Sequence, residues 1–302
     1  MRAPLGNTSE PPYHRFNEFI APEVDRFSML CAILNELRLE FHPVNVAGNR
    51  HLILHSRQLG INWAQYAPKI VLVAHYDRTP GSPGANDNSA AVFQLMETAL
   101  RLQEMKLNHW LIIFTDKEEL AHGEGIQNQG SYTLAMTLKN SGIGDSRYYI
   151  FDACGVGDTL VISTMADHLM RDEQRYGIIK ARQKVQLLRT GALEAARALA
   201  MDRVLLVPTP FSDDAGFLQA GIAAQTITML PSAEAASLAS FLRTKPDFAD
   251  RLISQQDAKY RYLMPETWRS LNGPGDSPLR LTPEHYKRVI RFTCELIRRA
   301  EE

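Results

Sequence analysis

From residue 69 onward, short apolar runs alternate with segments whose apolar positions recur every three or four residues. "KIVLVAHYD" (69–77), "WLIIFTD" (110–116), "RYYIFDA" (147–153), "TLVIST" (159–164), "VLLVP" (204–208) and "AAQTITML" (223–230) predict strands. The first two are apolar almost throughout, the pattern of strands covered on both faces. Residues 88–105 set Val92, Leu95, Met96, Ala99 and Leu102 on one helical face, and residues 127–140 predict another helix. A last helix over 283–299 aligns Tyr286, Val289, Ile290, Thr293, Leu296 and Ile297. Upstream, residues 17–40 predict one amphipathic helix, through Phe19, Val24, Phe27, Leu30, Ile33, Leu34 and Leu37. "LEFHPVNVAGNRHLILH" predicts two strands joined at Ala47-Gly48-Asn49. The alternation predicts an α/β fold: a three-layer sandwich with a mixed, mostly parallel sheet flanked by helices.

Composition narrows the picture. The chain has 302 residues, 45% of them hydrophobic, enough for a sizeable core. One domain is expected over 1–302, with residues 1–15 as a poorly ordered arm. The formal net charge of −1 gives no field that favours nucleic acid or a membrane surface. No apolar run approaches a membrane span, and "MRAPLGNTSEPPYHRF" lacks the apolar core of a secretory signal. Cys31, Cys154 and Cys294 are few, odd in number and widely spaced. They form neither a disulfide framework nor a thiolate metal site, and a cytoplasmic protein is expected.

In open α/β sheets ligands gather at the carboxyl ends of strands. Here those ends carry His75 and Asp77, then Asp116, Glu118 and Glu119, then Asp152, and beyond Pro208 come Ser212, Asp213 and Asp214. Each has a plain alternative. A strand-end His bonds a carbonyl, paired Glu residues favour a helix start, and Asp87 in "GANDNSA" can cap the helix that follows. Asp213 and Ser212 serve a turn or line a pocket, and His122 and Glu124 fit an exposed loop. Solvation explains any one of these positions, but it explains the whole set poorly. Imidazole and carboxylates together are donors for Zn²⁺.

"HYD", "GANDNSAA", "DKEE", "FDACGVGD", "SDDAGFLQAGI" and "ETWRSLNGPGD", in this order, resemble the co-catalytic di-zinc aminopeptidases. That group includes bacterial leucyl aminopeptidase and aminopeptidase Y, and it is related to the glutaminyl cyclases. The resemblance runs from about residue 70 to the C-terminus and implies a zinc-exopeptidase-like fold. It implies that His75 and Asp152 bind a first zinc and that Asp87 bridges it to a second, held by Glu119. Asp77 would orient His75, and Glu118 would be the general base for the attacking water.

The sequence departs from the family at two places. "ETWRSLNGPGD" carries Asn272 where the family has the His that completes the second zinc's ligands, so that site is expected to be weak. "SDDAGF" carries Asp214 where the family commonly has His. The expected activity is metal-dependent removal of N-terminal residues from a peptide or amino-acid-derived substrate. A binding protein with an incomplete second site, and a glutaminyl-peptide cyclase, are the alternatives.

Overall fold

A computed structural model describes residues 13–56, 68–121, 123–171, 176–246, 248–250 and 262–302. His122 lies outside the described residues. Among the described residues the strands are β1 (Phe41–Val46), β2 (Asn49–His55), β3 (Ile70–His75), β4 (Trp110–Thr115), β5 (Arg147–Phe151), β6 (Thr159–Ser163), β7 (Val204–Val207) and β8 (Ala224–Leu230). They form one sheet in the order β1-β2-β4-β3-β5-β8-β6-β7. The pairs β3/β4, β3/β5, β5/β8 and β6/β7 are parallel; β1/β2, β2/β4 and β6/β8 are antiparallel. The expected mixed sheet is the observed one.

Strand order positions the site. β3 lies between β4 and β5, with His75 level with Thr115 and Val73 level with Ile150. Three parallel strands therefore end side by side, at His75, at Thr115 and just before Asp152. Along β3 every residue is at most 1% exposed. Successive side chains alternate faces. Leu72 and Ala74, with Ile112 and Phe114, pack under α2 (Arg26–Glu36), α3 (Ala90–Glu104) and the C-terminal helix Pro283–Glu301. Val71 and Val73, with Leu111 and Ile113, pack against α4 (Gly130–Asn140) and α7 (Asp213–Gln219). Burying each such side chain is worth about 1.5–3 kcal/mol. This double-sided burial is why the strands read as unbroken apolar runs.

The helix expected over 17–40 is two helices, α1 (Phe16–Phe19) and α2. Pro22, which has no N–H to donate, sits between them. Asp25 starts the second, accepting Phe27 N–H at 3.2 Å and Ser28 Oγ at 2.6 Å. Of the arm expected over 1–15, residues 1–12 lie outside the described residues; Tyr13–Arg15 is a short 3-10 helix, and Tyr13 is buried against Tyr286 with its hydroxyl donating to Glu97. Among the described residues five helices fall outside the sequence reading: α5 (Met165–Leu169), α6 (Tyr176–Ala198), α7, α8 (Ser232–Thr244) and the short helix Glu266–Arg269. α6 buries a stripe rich in small residues, Ala181, Val185, Leu188, Ala192 and Ala195, a weak hydropathy signal. No helix among the described residues is long and apolar enough to cross a membrane.

Candidate metal centre

His75 ends β3 with no exposed surface. Its Nε2 lies 3.1 Å from Asp87 Oδ1 and 3.8 Å from Asp152 Oδ1. One ligand atom from each of the three residues lies within 4.8 Å of the others. Neither His75 nitrogen nor Asp152 Oδ1 makes a well-formed hydrogen bond, although Nε2 and Nδ1 stand 3.1 Å and 3.3 Å from the carboxylates of Asp87 and Asp77. Buried polar atoms seldom go unpaired. Two donors on one tetrahedral Zn²⁺, each at about 2.0–2.2 Å, stand roughly 3.4 Å apart. The spacing, the orphaned atoms and the imidazole-plus-carboxylate chemistry fit one divalent ion at this point.

The loops hold these three side chains through a connected frame. Asp77 Oδ1 lies 3.3 Å from His75 Nδ1. The same carboxylate accepts the N–H groups of Glu118 at 3.2 Å and Glu119 at 3.0 Å, tying the loop after β3 to the loop after β4. The residues on either side of Asp87 bind the loop after β5. Asn86 Oδ1 accepts Gly155 N–H at 2.7 Å, Asn88 Nδ2 donates to Phe151 O at 2.8 Å, and Asn88 Oδ1 accepts Ala153 N–H at 3.2 Å. Asp87 and Asp152 are therefore set in register by two amides. From the other side Asp276 accepts Asn86 N–H on Oδ1 at 2.8 Å and Asp87 N–H on Oδ2 at 3.0 Å. Arg26, buried on the first turn of α2, donates to Tyr76 O at 3.0 Å and Pro83 O at 2.7 Å. It steadies the loop between His75 and Asp87.

Sequence reasoning missed Arg26, Asn86, Asn88 and Asp276. The asparagines lay inside the quoted "GANDNSAA", and Asp276 closes "NGPGD". An Arg inside an amphipathic pattern gave no signal, because its partners are carbonyls some fifty residues away.

The Glu pair diverges, as adjacent strand-end residues do. Glu118 Oε1 accepts Gln129 Nε2 at 3.1 Å, and Glu119 Oε2 accepts Thr79 Oγ at 2.8 Å. Burial, then the neighbouring Glu119, Asp152 and Asp213, pushes the Glu118 carboxyl well above its ordinary range, against the opposing pull of His75. Burial and Asp87 push Glu119 up to about 8. Burial opposes charge on His75, yet Asp152, Asp77 and Asp87 hold its pKa well above the usual value. Carboxylates this crowded call for positive charge among them.

Asn272 reaches the same place. One end of its amide lies 2.6 Å from Glu119 Oε1, 3.1 Å from Asp87 Oδ2 and 3.0 Å from Thr79 Oγ; the carboxylate neighbours only accept, so with no cation between them the nitrogen is assigned to that end. In that orientation a donor nitrogen stands between Asp87 and Glu119.

Asp213 and Asp214 lie apart from the convergent ligand atoms, in the first turn of α7. Asp213 Oδ2 accepts Thr115 Oγ at 2.5 Å, and burial raises its carboxyl to about 6. Burial likewise raises Asp214 to about 7. Glu124 accepts Ala121 N–H at 2.8 Å and pairs with Lys117, a loop role.

The sequence pattern of Peptidase family M28 matches residues 61–267, more than half of the chain. The protein belongs to peptidase family M28. No curated protein matches it significantly. Among solved structures it is similar to the zinc aminopeptidase BSAP of Bacillus subtilis, at 20% identity and TM-score 0.53 over 83% of this chain. This chain spans 50% of that protein's length. It is similar to the Bacteroides thetaiotaomicron glutaminyl cyclase bound to N-acetylhistamine, at 16% identity and TM-score 0.62 over 94% of both chains. It is also similar to the Legionella pneumophila LapA aminopeptidase, at 17% identity and TM-score 0.57 over 96% of this chain and 70% of that one. At these identities the likeness shows the shared fold alone.

Proposed function

We propose that this M28 peptidase is a metal-dependent aminopeptidase acting on a peptide or amino-acid-derived substrate. The observation that supports the reading is the convergence of His75, Asp87 and Asp152 with unpaired donor atoms, beside the buried carboxyl of Glu118. A divalent ion at that point supplies a Lewis acid for the scissile carbonyl and acidifies the attacking water. Glu118 takes the proton from that water and returns it to the leaving amine. Asp77 fixes the orientation of His75 and, through the two backbone N–H groups, the position of Glu118. Three free thiols, Cys31, Cys154 and Cys294, support a reducing cytoplasmic setting.

The test is hydrolysis of aminoacyl amides by chelator-treated protein before and after Zn²⁺ is restored, with an N-terminal glutaminyl peptide in the same panel. Zinc-dependent release of the N-terminal residue supports the proposal. Cyclisation of the glutaminyl peptide without hydrolysis would replace it with a cyclase, and no turnover of either substrate by zinc-loaded protein would leave a binding role.

A further inference from the structure

We infer that the Asn272 amide stands in for the second metal ion, so that the protein holds one ion per chain, at His75, Asp87 and Asp152. The inference rests on the metal site proposed above and deepens it. Two carboxylates, Asp87 and Glu119, face one another across the gap where a second cation would sit. Asp87 is buried, and Glu119 is tied to Thr79 on the loop after β3. Left alone, such a pair needs positive charge or hydrogen-bond donors. With its nitrogen assigned to the end that faces them, the Asn272 amide donates to both, at 2.6 Å from Glu119 Oε1 and 3.1 Å from Asp87 Oδ2. Those are hydrogen-bond lengths, longer than the roughly 2.0–2.2 Å of a zinc–oxygen contact. The opposite orientation would aim the amide oxygen at oxygens of Asp87 and Glu119, an arrangement that only an intervening cation makes favourable.

The backbone delivers the amide to this place. Asn272 has φ +62°, the left-handed region that Asn enters more readily than most residues. Gly273 follows, and its carbonyl accepts Ser82 Oγ at 3.1 Å. Three residues further on, Asp276 binds the backbone of Asn86 and Asp87. The segment that brings the donor in is thus fastened to the loop it serves. Asp87 then acts as a terminal ligand of one ion, with its second oxygen held by an amide. Glu119 becomes a fixed hydrogen-bonded carboxylate, not a ligand.

The experiment counts ions without reference to turnover. Chelator-stripped protein is equilibrated with Zn²⁺, freed of excess, and analysed for zinc per chain. Calorimetric titration with ZnCl₂ runs in parallel, and circular dichroism checks the fold of each variant. Wild type should bind one ion, and His75→Ala should bind none. Asn272→Asp has the same shape and also tolerates the left-handed backbone. It turns the donor into a third carboxylate and should gain a second ion, as should Asn272→His.

Two ions on wild type would overturn the inference, because Asn272 would then act through its oxygen. An ion retained by His75→Ala would overturn it as well, by placing the ion between Asp87 and Glu119. So would a folded Asn272→Asp that stays at one ion. Failure of the proposed function looks different: one ion bound, lost in His75→Ala, and no hydrolysis.

Discussion

The Asp276 carboxylate accepts the backbone N–H of Asp87 at 3.0 Å, joining residues 189 positions apart. The bond is to the main chain, so it fixes where the Asp87 side chain starts and leaves both its oxygens free for other work. Asp276 Oδ1 does the same for Asn86, which in turn holds Gly155. A single carboxylate on the C-terminal segment thus sets the position of the residue shared by the metal site and the Asn272 amide.

Asp276→Ala should therefore weaken both the fold and the metal site. Two buried N–H groups would lose their acceptor, at about 1–3 kcal/mol each where no water replaces it. Zinc affinity should fall by about 10–100-fold, the usual range for losing a residue that orients a ligand. Urea unfolding and zinc titration measure the two effects. Wild-type affinity in a folded Asp276→Ala would mean that the Asp87 loop keeps its shape without this anchor.

Glu118→Gln preserves the size of the side chain and its contact with Gln129 but removes the proton acceptor. Turnover of an aminoacyl amide should fall by about 10²–10⁴-fold. Zinc content should not change, because Glu118 is not among the convergent ligand atoms. Undiminished turnover would assign the base to another group.

Much of this architecture was legible along the chain, and the reasons are local. β3 and β4 are covered on both faces, so their apolar runs announced themselves, and the parallel sheet lines up the polar residues at their carboxyl ends. What stayed hidden depends on partners distant in sequence. Arg26 reads as one more position on an amphipathic helix until its guanidinium is seen among the carbonyls of Tyr76 and Pro83. Asp276 gives no signal of its own inside "ETWRSLNGPGD", because its partners Asn86 and Asp87 lie some 190 residues away. Asp213 reads as a turn or pocket residue and Asp214 as a departure from the family's His, yet both open α7, where burial displaces both carboxyls upward. Pro22 interrupts the apolar spacing that runs through 17–40, and the chain breaks into two helices there. Asn272 stood out as a departure from the family pattern, but the sequence could not say what its amide faces.

Gly130→Ala should disturb the Glu pair from behind. A Cβ there would lie 1.9 Å from Asp116 O, and Gly130 N–H donates to Lys117 O at 3.0 Å. Backbone has to move, and the backbone in question leads directly into Glu118. Overpacking of this kind costs about 1–3 kcal/mol. Thermal unfolding should show the loss, with a larger proportional drop in kcat than in zinc content. A variant with wild-type melting temperature would mean that the loop after β4 yields freely.

His51 makes stability depend on pH in a defined window. It is fully buried on β2, and its Nδ1 accepts Asp116 N–H at 3.2 Å. That bond requires Nδ1 to be unprotonated, while Nε2 has no partner. Burial pulls its pKa down to about 4 from 6.5, with Asp77 opposing only in part. A histidine whose folded pKa lies below its unfolded value takes up its proton more readily when unfolded. Its penalty is absent above about pH 6.5 and grows as pH falls toward about 4, below which both states are protonated and the penalty stays constant. At about 1.4 kcal/mol per pH unit, the loss across that window is roughly 3 kcal/mol. His51→Gln keeps an acceptor for Asp116 N–H but does not titrate. Unfolding free energies measured at several pH values between 7 and 4 should fall less steeply in His51→Gln than in wild type, with the gap opening below about pH 6.5. Parallel curves for the two proteins would show that His51 does not drive the acid loss of stability.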